Sequence, residues 1–208
     1  MAKTGNRTAR RKTLAQIRDA AARCRRCDLW KRATQTVFGD GPVKARLMLV
    51  GEQPGDQEDL AGEPFVGPAG QLLRASLIDA GLDPAEVFLT NAVKHFKWKP
   101  GGKRRIHERP NREEVLACRL WLDEEIENVR PAMIVALGAT AASTLLGSAA
   151  KVTRDRGKFF PSTLAPVVSL TVHPSSILRA PDSAARKIAR SEFVKDLKTF
   201  ARKLERDR

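Results

Sequence analysis

The sequence predicts an α/β fold: a four-stranded parallel sheet flanked by helices on both faces. Three observations carry that reading. Four short apolar runs, at residues 45–50 (ARLMLV), 87–89 (VFL), 131–137 (PAMIVAL) and 167–172 (VVSLTV), alternate with helix-compatible stretches. Continuous apolar runs suit strands buried on both faces, and helices between them supply the cover. Each run also leads to a glycine or polar residue, namely Gly51, Asn91, Gly138 and His173. In such sheets ligands bind beyond the carboxyl ends of the strands. The 208 residues are 42% hydrophobic, enough for one sizeable core.

The elements follow in order. Residues 1–12 (MAKTGNRTARRK) are basic with no apolar segment behind them, so they read as a disordered tail and not as a secretory signal. Residues 13–208 read as a single domain. Residues 13–23 form a helix with Leu14, Ile17 and Ala21 on one face. After the first strand a loop rich in Gly, Pro and acids runs to Gly67. Pro68 opens a helix, because a first helical residue needs no N–H donor, and Gly81 stops it. Residues 97–110 are basic and read as a long surface loop. Asn111 and Glu114 form a capping box for a helix to about residue 128. Gly138 turns the third strand into a helix ending near Gly147, and residues 183–204 form a long basic helix.

Charge is the first functional signal. Thirty-eight Lys and Arg against twenty-four Asp and Glu give a net +14. The surplus lies in residues 1–32, 94–112 and the last 25, and it suits a polyanion such as a nucleic-acid backbone, or merely solubility. No run approaches a membrane span, and the expected location is the cytoplasm, in association with the nucleoid. GEQPGD is not a dinucleotide fingerprint, and no phosphate-binding P-loop follows any strand.

The strand tips hold the candidate site. In Gly51-Glu52-Gln53-Pro54-Gly55-Asp56, glycines and proline make a tight loop that aims Glu52 into the crevice, with Gln53, Gly55 and Asp56 beside it. Phe65, in a rigid Gly/Pro-rich loop, either stacks on a flat base or packs in the core. Asn91 offers both donors and an acceptor, or else forms a turn. His173 stands on a rigid tip before Pro-Ser-Ser, with Ser175, Ser176 and Arg179 following. His107 lies among Lys103, Arg104, Arg105 and Arg109, cations that favour its neutral, nucleophilic form. Cys24, Cys27, His95 and Cys118 are candidate metal ligands; three sulfurs and one nitrogen suit zinc or an iron–sulfur cluster, and spacing does not choose.

At these residues the chain resembles the uracil-DNA glycosylase superfamily, in particular its iron–sulfur branch and, within it, the uracil-DNA crosslinking type. The resemblance rests on CRRC (24–27), GEQPGDQEDLAGEPFVGPAG (51–70), TNAVKHFKW (90–98), KRRIH (103–107), CRLWL (118–122) and TVHPSSILR (171–179), and spans roughly residues 14–204. It implies a structural [4Fe–4S] cluster on Cys24, Cys27, His95 and Cys118, with His95 standing where ordinary members carry cysteine. It places Phe65 against the uracil ring, Asn91 on its polar edge and His173 near O2. Ser175 to Arg179 would approach the DNA at the flipped nucleotide, and Lys103, Arg104 and Arg105 would contact its backbone. Glu52 and His107 would flank deoxyribose C1′, and Gln53 replaces an alanine of the ordinary members.

The activity so implied is uracil excision from single- and double-stranded DNA, followed by covalent trapping of the sugar on His107, the protein acting as a monomer. An ordinary multiple-turnover glycosylase and a non-catalytic nucleic-acid-binding module are the rival readings.

Overall fold

The computed structural model describes residues 11–207. Most of the basic tail, residues 1–10, therefore lies outside the described residues. Arg11 lies within them, and its guanidinium donates to the Glu127 carbonyl.

The sheet has five strands and is mixed, where sequence predicts four parallel ones. Its order is β2 (Val87–Asn91), β1 (Leu47–Gly51), β5 (Met133–Leu137), β7 (Val167–Thr171), β6 (Phe159–Phe160). The first four are parallel, and β6 pairs antiparallel with β7 through Phe159↔Ser169 and Phe160↔Val168. A two-residue strand is too short to leave a periodic signature, which is why it escapes a sequence reading.

Side chains alternate between two cores. Leu47, Leu49, Met133 and Val135 pack toward α3 (Pro68–Asp79) and α8 (Ser183–Arg206), with Leu73, Leu77, Phe193 and Leu197. Met48, Val50, Ile134 and Ala136 pack toward α4 (Arg112–Val129) and α5 (Ala139–Leu146), with Leu122, Ile126 and Ala142. Every residue of β1, β2 and β5 is buried, as the apolar runs require. The Asn111 capping box forms, and Pro68 occupies the first turn of α3. Among the described residues no helix is long and apolar enough to cross a membrane.

Two stretches expected as loops are ordered elements. Asp56–Ala61 is a short helix, α2, capped by Glu58, whose carboxylate accepts from Gly55 N at 3.1 Å and Gly67 N at 2.9 Å. Within residues 97–110, β3 (Trp98–Gly101) and β4 (Arg104–His107) form an antiparallel hairpin with Trp98↔His107 and Lys99↔Ile106 in register. Lys94, counted in the basic surplus, is fully buried. Its Nζ pairs with Glu125 at 2.7 Å and donates to Thr90 Oγ1 and the Asn91 carbonyl.

Candidate active site

Strand order sets the site. β2 lies on one side of β1 and β5 on the other, so the chain reverses direction across the sheet at β1, and the crevice opens beyond the tips of β1 and β5. There a pocket of about 820 Å³ is lined by Glu52, Gln53, Phe65, Asn91, His173 and Arg179 among others. Gly51 makes the closure possible. A Cβ there would overlap the Asn91 side-chain oxygen and lie 2.8 Å from the Phe65 ring. Phe65 itself is buried at φ +57°, a left-handed conformation uncommon for an aromatic residue, and its backbone seats against Gly70, where a Cβ would collide with it. Strain of this kind persists where surrounding structure over-determines it.

His173 is held as a neutral donor. Its Nδ1 accepts Ser175 N–H at 3.1 Å and stands 2.8 Å from Ser175 Oγ. Burial first, then the neighbouring Arg179 and His107, push its pKa down to about 4. With Nδ1 accepting, the neutral ring carries its proton on Nε2. The ring stacks beside Phe65, centroids 6.2 Å apart.

The hairpin brings His107 to the pocket. His107 Nε2 stands 3.5 Å from Glu52 Oε1, with the His107 side chain about half exposed and Glu52 mostly buried. The base of the hairpin is clamped by Gln53, whose Nε2 donates to the Lys97 and Glu108 carbonyls, each at 3.1 Å, and whose Oε1 accepts from Lys97 N. Its amide is therefore engaged with protein, though Gln53 also lines the pocket. Arg105 points inward, toward two carboxylates. Its Nε and Nη1 reach Asp56 and Asp59 at 2.5 Å each, and the guanidinium lies over Phe96 and Trp98. Asp56 is thus a hairpin partner and stands outside the pocket lining. Side chains alternate along the hairpin, so Lys99, Arg104 and Ile106 share the opposite, outward face, with Lys103 at its tip.

The thiols gather around the turn after β2 and against α4. Cys24 follows α1 (Leu14–Ala21), Cys27 caps a 3-10 turn at Asp28–Lys31, and Cys118 lies in α4. Cys27 and Cys118 pack in one cluster with Val93. Cys24 Sγ accepts from Trp121 Nε1 and Cys118 Sγ from Lys94 N, both at 3.1 Å. Burial foremost raises the Cys118 thiol to about 12, against the lowering effect of Lys94, and the neighbouring Cys27 and Cys24 add a smaller upward push. A bound cation would reverse that. Burial lowers His95 to about 4, leaving a neutral ring able to ligate, with Nε2 2.9 Å from Thr36 Oγ1. Among the described residues no three His, Cys, Asp or Glu side chains converge on a single-ion site. Three thiols with N–H donors on two sulfurs are a donor set that fits an iron–sulfur group.

The family model described as the uracil DNA glycosylase superfamily matches residues 38–198. The chain belongs to that superfamily. It is similar to a Type-4 uracil-DNA glycosylase of Pyrobaculum aerophilum, 39% identical over 194 residues, 90% of this chain and 92% of that one. A Type-4 uracil-DNA glycosylase of Thermotoga maritima is 36% identical over 188 residues, 90% of this chain and 94% of the other. A Type-5 uracil-DNA glycosylase of Pyrobaculum aerophilum is 32% identical over 143 residues, 62% and 60% of the two chains.

In this uracil-DNA glycosylase superfamily member the pocket lining unites Glu52, Gln53, Gly55, Phe65, Asn91, His107, His173, Ser175, Ser176 and Arg179. Asp56, Lys103, Arg104 and Arg105 lie outside it. Two pocket-side residues went unread in the sequence: Glu58, which braces the loop, and Thr140, which donates to Glu52 Oε2. Arg109, read there only as a cation near His107, donates its Nε–H to Thr140 Oγ1 at 3.1 Å. Thr140 stands two residues past Gly138, so the strand-tip signal already pointed to its neighbourhood.

Proposed function

We propose that this chain cleaves the N-glycosidic bond of deoxyuridine in single- and double-stranded DNA and is then held covalently on deoxyribose C1′ through His107. The observation that carries this reading is the Glu52–His107 pair, 3.5 Å apart at the mouth of a pocket floored by Phe65, Asn91 and His173. Superfamily membership and the Type-4 glycosylase relatives support base release. The capture step is supported by the hairpin that delivers the KRRIH histidine.

Uracil must leave the base stack before its glycosidic bond is reachable. In the pocket Phe65 stacks on the ring and Asn91 pairs with N3–H and O4. A C5 methyl is excluded by the same wall. As C1′–N1 breaks, the electron pair goes to uracil, and His173 Nε2–H supports the charge growing at O2. The Glu52 carboxylate faces the cationic sugar. Neutral His107 then adds to C1′ through one ring nitrogen, and the imidazolium so formed loses its remaining N–H proton to solvent. The product is a neutral N-alkyl imidazole, a poor leaving group, so turnover stops there.

Lys103 and Arg104, on the outward side of the hairpin, are the backbone contacts of this reading, with Ser175, Ser176 and Arg179 at the flipped nucleotide. Cys24, Cys27, His95 and Cys118 hold a [4Fe–4S] cluster that ties the N-terminal segment to α4 and the turn after β2. Its chemistry here is structural: binding energy becomes folding energy.

Denaturing electrophoresis after mixing the protein with a uracil oligonucleotide tests the function. A heat-stable, slow band is expected. Uracil release with no such band would leave an ordinary turnover glycosylase, and no release at all would remove the enzyme reading. Iron analysis tests the centre: about four irons per chain are expected, and stoichiometric zinc would overturn the cluster.

A further inference from the structure

We propose that Thr140, with Arg109 behind it, is a positioning residue that fixes the Glu52 carboxylate for reaction at deoxyribose C1′. The inference rests on the base-excision reading above. The Thr140 hydroxyl donates to Glu52 Oε2, the oxygen turned away from His107. The same hydroxyl accepts Arg109 Nε–H at 3.1 Å, while Arg109 Nε stands 3.7 Å from Oε2 directly. A chain therefore runs Arg109, Thr140, Glu52, His107, across the tips of two strands and the end of the hairpin.

Each link has a physical reason. Thr140 is only 5% exposed and sits in the first turn of α5, whose cap is Gly138. Its hydroxyl is not used to cap the helix, and its carbonyl is bonded by Ser143 Oγ at 3.0 Å and Thr144 Oγ1 at 2.8 Å, which fixes the residue in place. Glutamate has several rotatable bonds, and in an open pocket beside Arg109 it has other places to go. Pinning one oxygen to a buried hydroxyl leaves the second oxygen aimed at His107 and the sugar. Charge placed in advance costs no reorganisation when the cationic sugar develops. The Arg109 bond polarises the hydroxyl and strengthens its donation to the carboxylate. Arg109 alone would hold Glu52 poorly, because its side chain is 66% exposed and solvent screens it.

The test uses the full chain, a uracil oligonucleotide and protein in excess, with uracil release and adduct formation timed separately. Thr140→Val keeps the shape and removes the donor. It should slow uracil release by about tenfold or more, the scale of one hydrogen bond to a charged group. Adduct yield per uracil released should fall as well. Thr140→Ser restores the donor and should recover most of the rate. Arg109→Gln should cost less, roughly two- to threefold. A fold defect is separated from positioning by a double-mutant cycle. In a Glu52→Ala background Thr140→Val should make no further difference, whereas general damage would add to the loss. Thr140→Val releasing uracil at the wild-type rate, Thr140→Ser as slow as Thr140→Val, or full additivity with Glu52→Ala would each overturn the proposal while leaving base excision standing. A wild type that releases no uracil would overturn both.

Discussion

The strand-tip pocket and the β3–β4 hairpin meet at Glu52 and His107, yet they are built in opposite ways. Asn91 and His173 project from the ends of β2 and β7, strands locked into the sheet and buried by two apolar cores. His107 ends a four-residue strand, exposed for the most part, that among the described residues pairs only with β3. What docks it is polar: Gln53 at the base, and Arg105 on Asp56 and Asp59 in the middle. Rigid elements hold catalytic geometry more closely than loops do. The contrast assigns base release to the sheet and capture to an attachment on it, so the two steps should be separable.

The largest expected effect breaks them apart outright. His107→Gly should form no heat-stable adduct, yet should still release uracil and turn over, since water can enter where the ring stood. Asn91→Ala should do the reverse at the earlier step. Losing a donor at the leaving base costs on the order of 10²-fold in release, and adduct should fall in parallel because capture follows release. Both are read from one time course of released base and retained DNA. An Asn91→Ala variant that slows adduct formation alone would place Asn91 with the hairpin and end the division.

The same division governs what was legible in the sequence. Strand tips were legible because burial on both faces leaves continuous apolar runs, and a run that ends in Gly51, Asn91, Gly138 or His173 announces its tip. Eight of the ten pocket residues expected from sequence and resemblance that now share the lining sit within five residues of a strand end or in the Phe65 loop; the other two are Arg179, beyond the helical turn that follows His173, and His107. The hairpin was not legible. Its strands are four residues each and carry Pro100 and Gly101, with Gly102 in the turn between them, so no apolar period marks them. Arg105 looked like its neighbours Lys103 and Arg104, and its ion pairs with Asp56 and Asp59 are what turn it inward. Lys94 likewise reads as surface charge until Glu125, 31 residues later, closes a buried pair on it.

A smaller effect sharpens the comparison at the hairpin's fastening. Asp59 is fully buried and accepts from Thr34 N at 3.0 Å as well as from Arg105. Asp59→Asn keeps the shape but removes the charge that Arg105 Nη1 pairs with, and Arg105→Lys removes the planar fork that spans two carboxylates. Each should lower adduct yield per uracil released by about three- to tenfold, the scale of one charge-assisted bond, with release nearly unchanged. Equal slowing of both steps would mean that the fastening supports the pocket too.

The smallest expected effect concerns the pocket side alone and is read in stability against pH. The His173 pKa is lowered to about 4 from an ordinary 6.5, chiefly by burial. A protonated ring cannot accept the Ser175 N–H that Nδ1 now accepts. In the unfolded chain the ring takes up its proton near the ordinary value, so between pH 6.5 and 4 the unfolded state binds more protons than the folded one. The sign follows: the neutral ring's contribution is complete above about pH 6.5 and is lost as pH falls toward 4. His173→Gln does not titrate and keeps an acceptor for Ser175. Every other residue is common to the two proteins, so the difference between them reads the histidine. The wild type should therefore lose more in melting temperature than His173→Gln between pH 7 and 4.5, by roughly a few degrees. Parallel melting curves for wild type and His173→Gln would show that the sheet does not hold its histidine neutral, and the sharpest difference between the two regions would be gone.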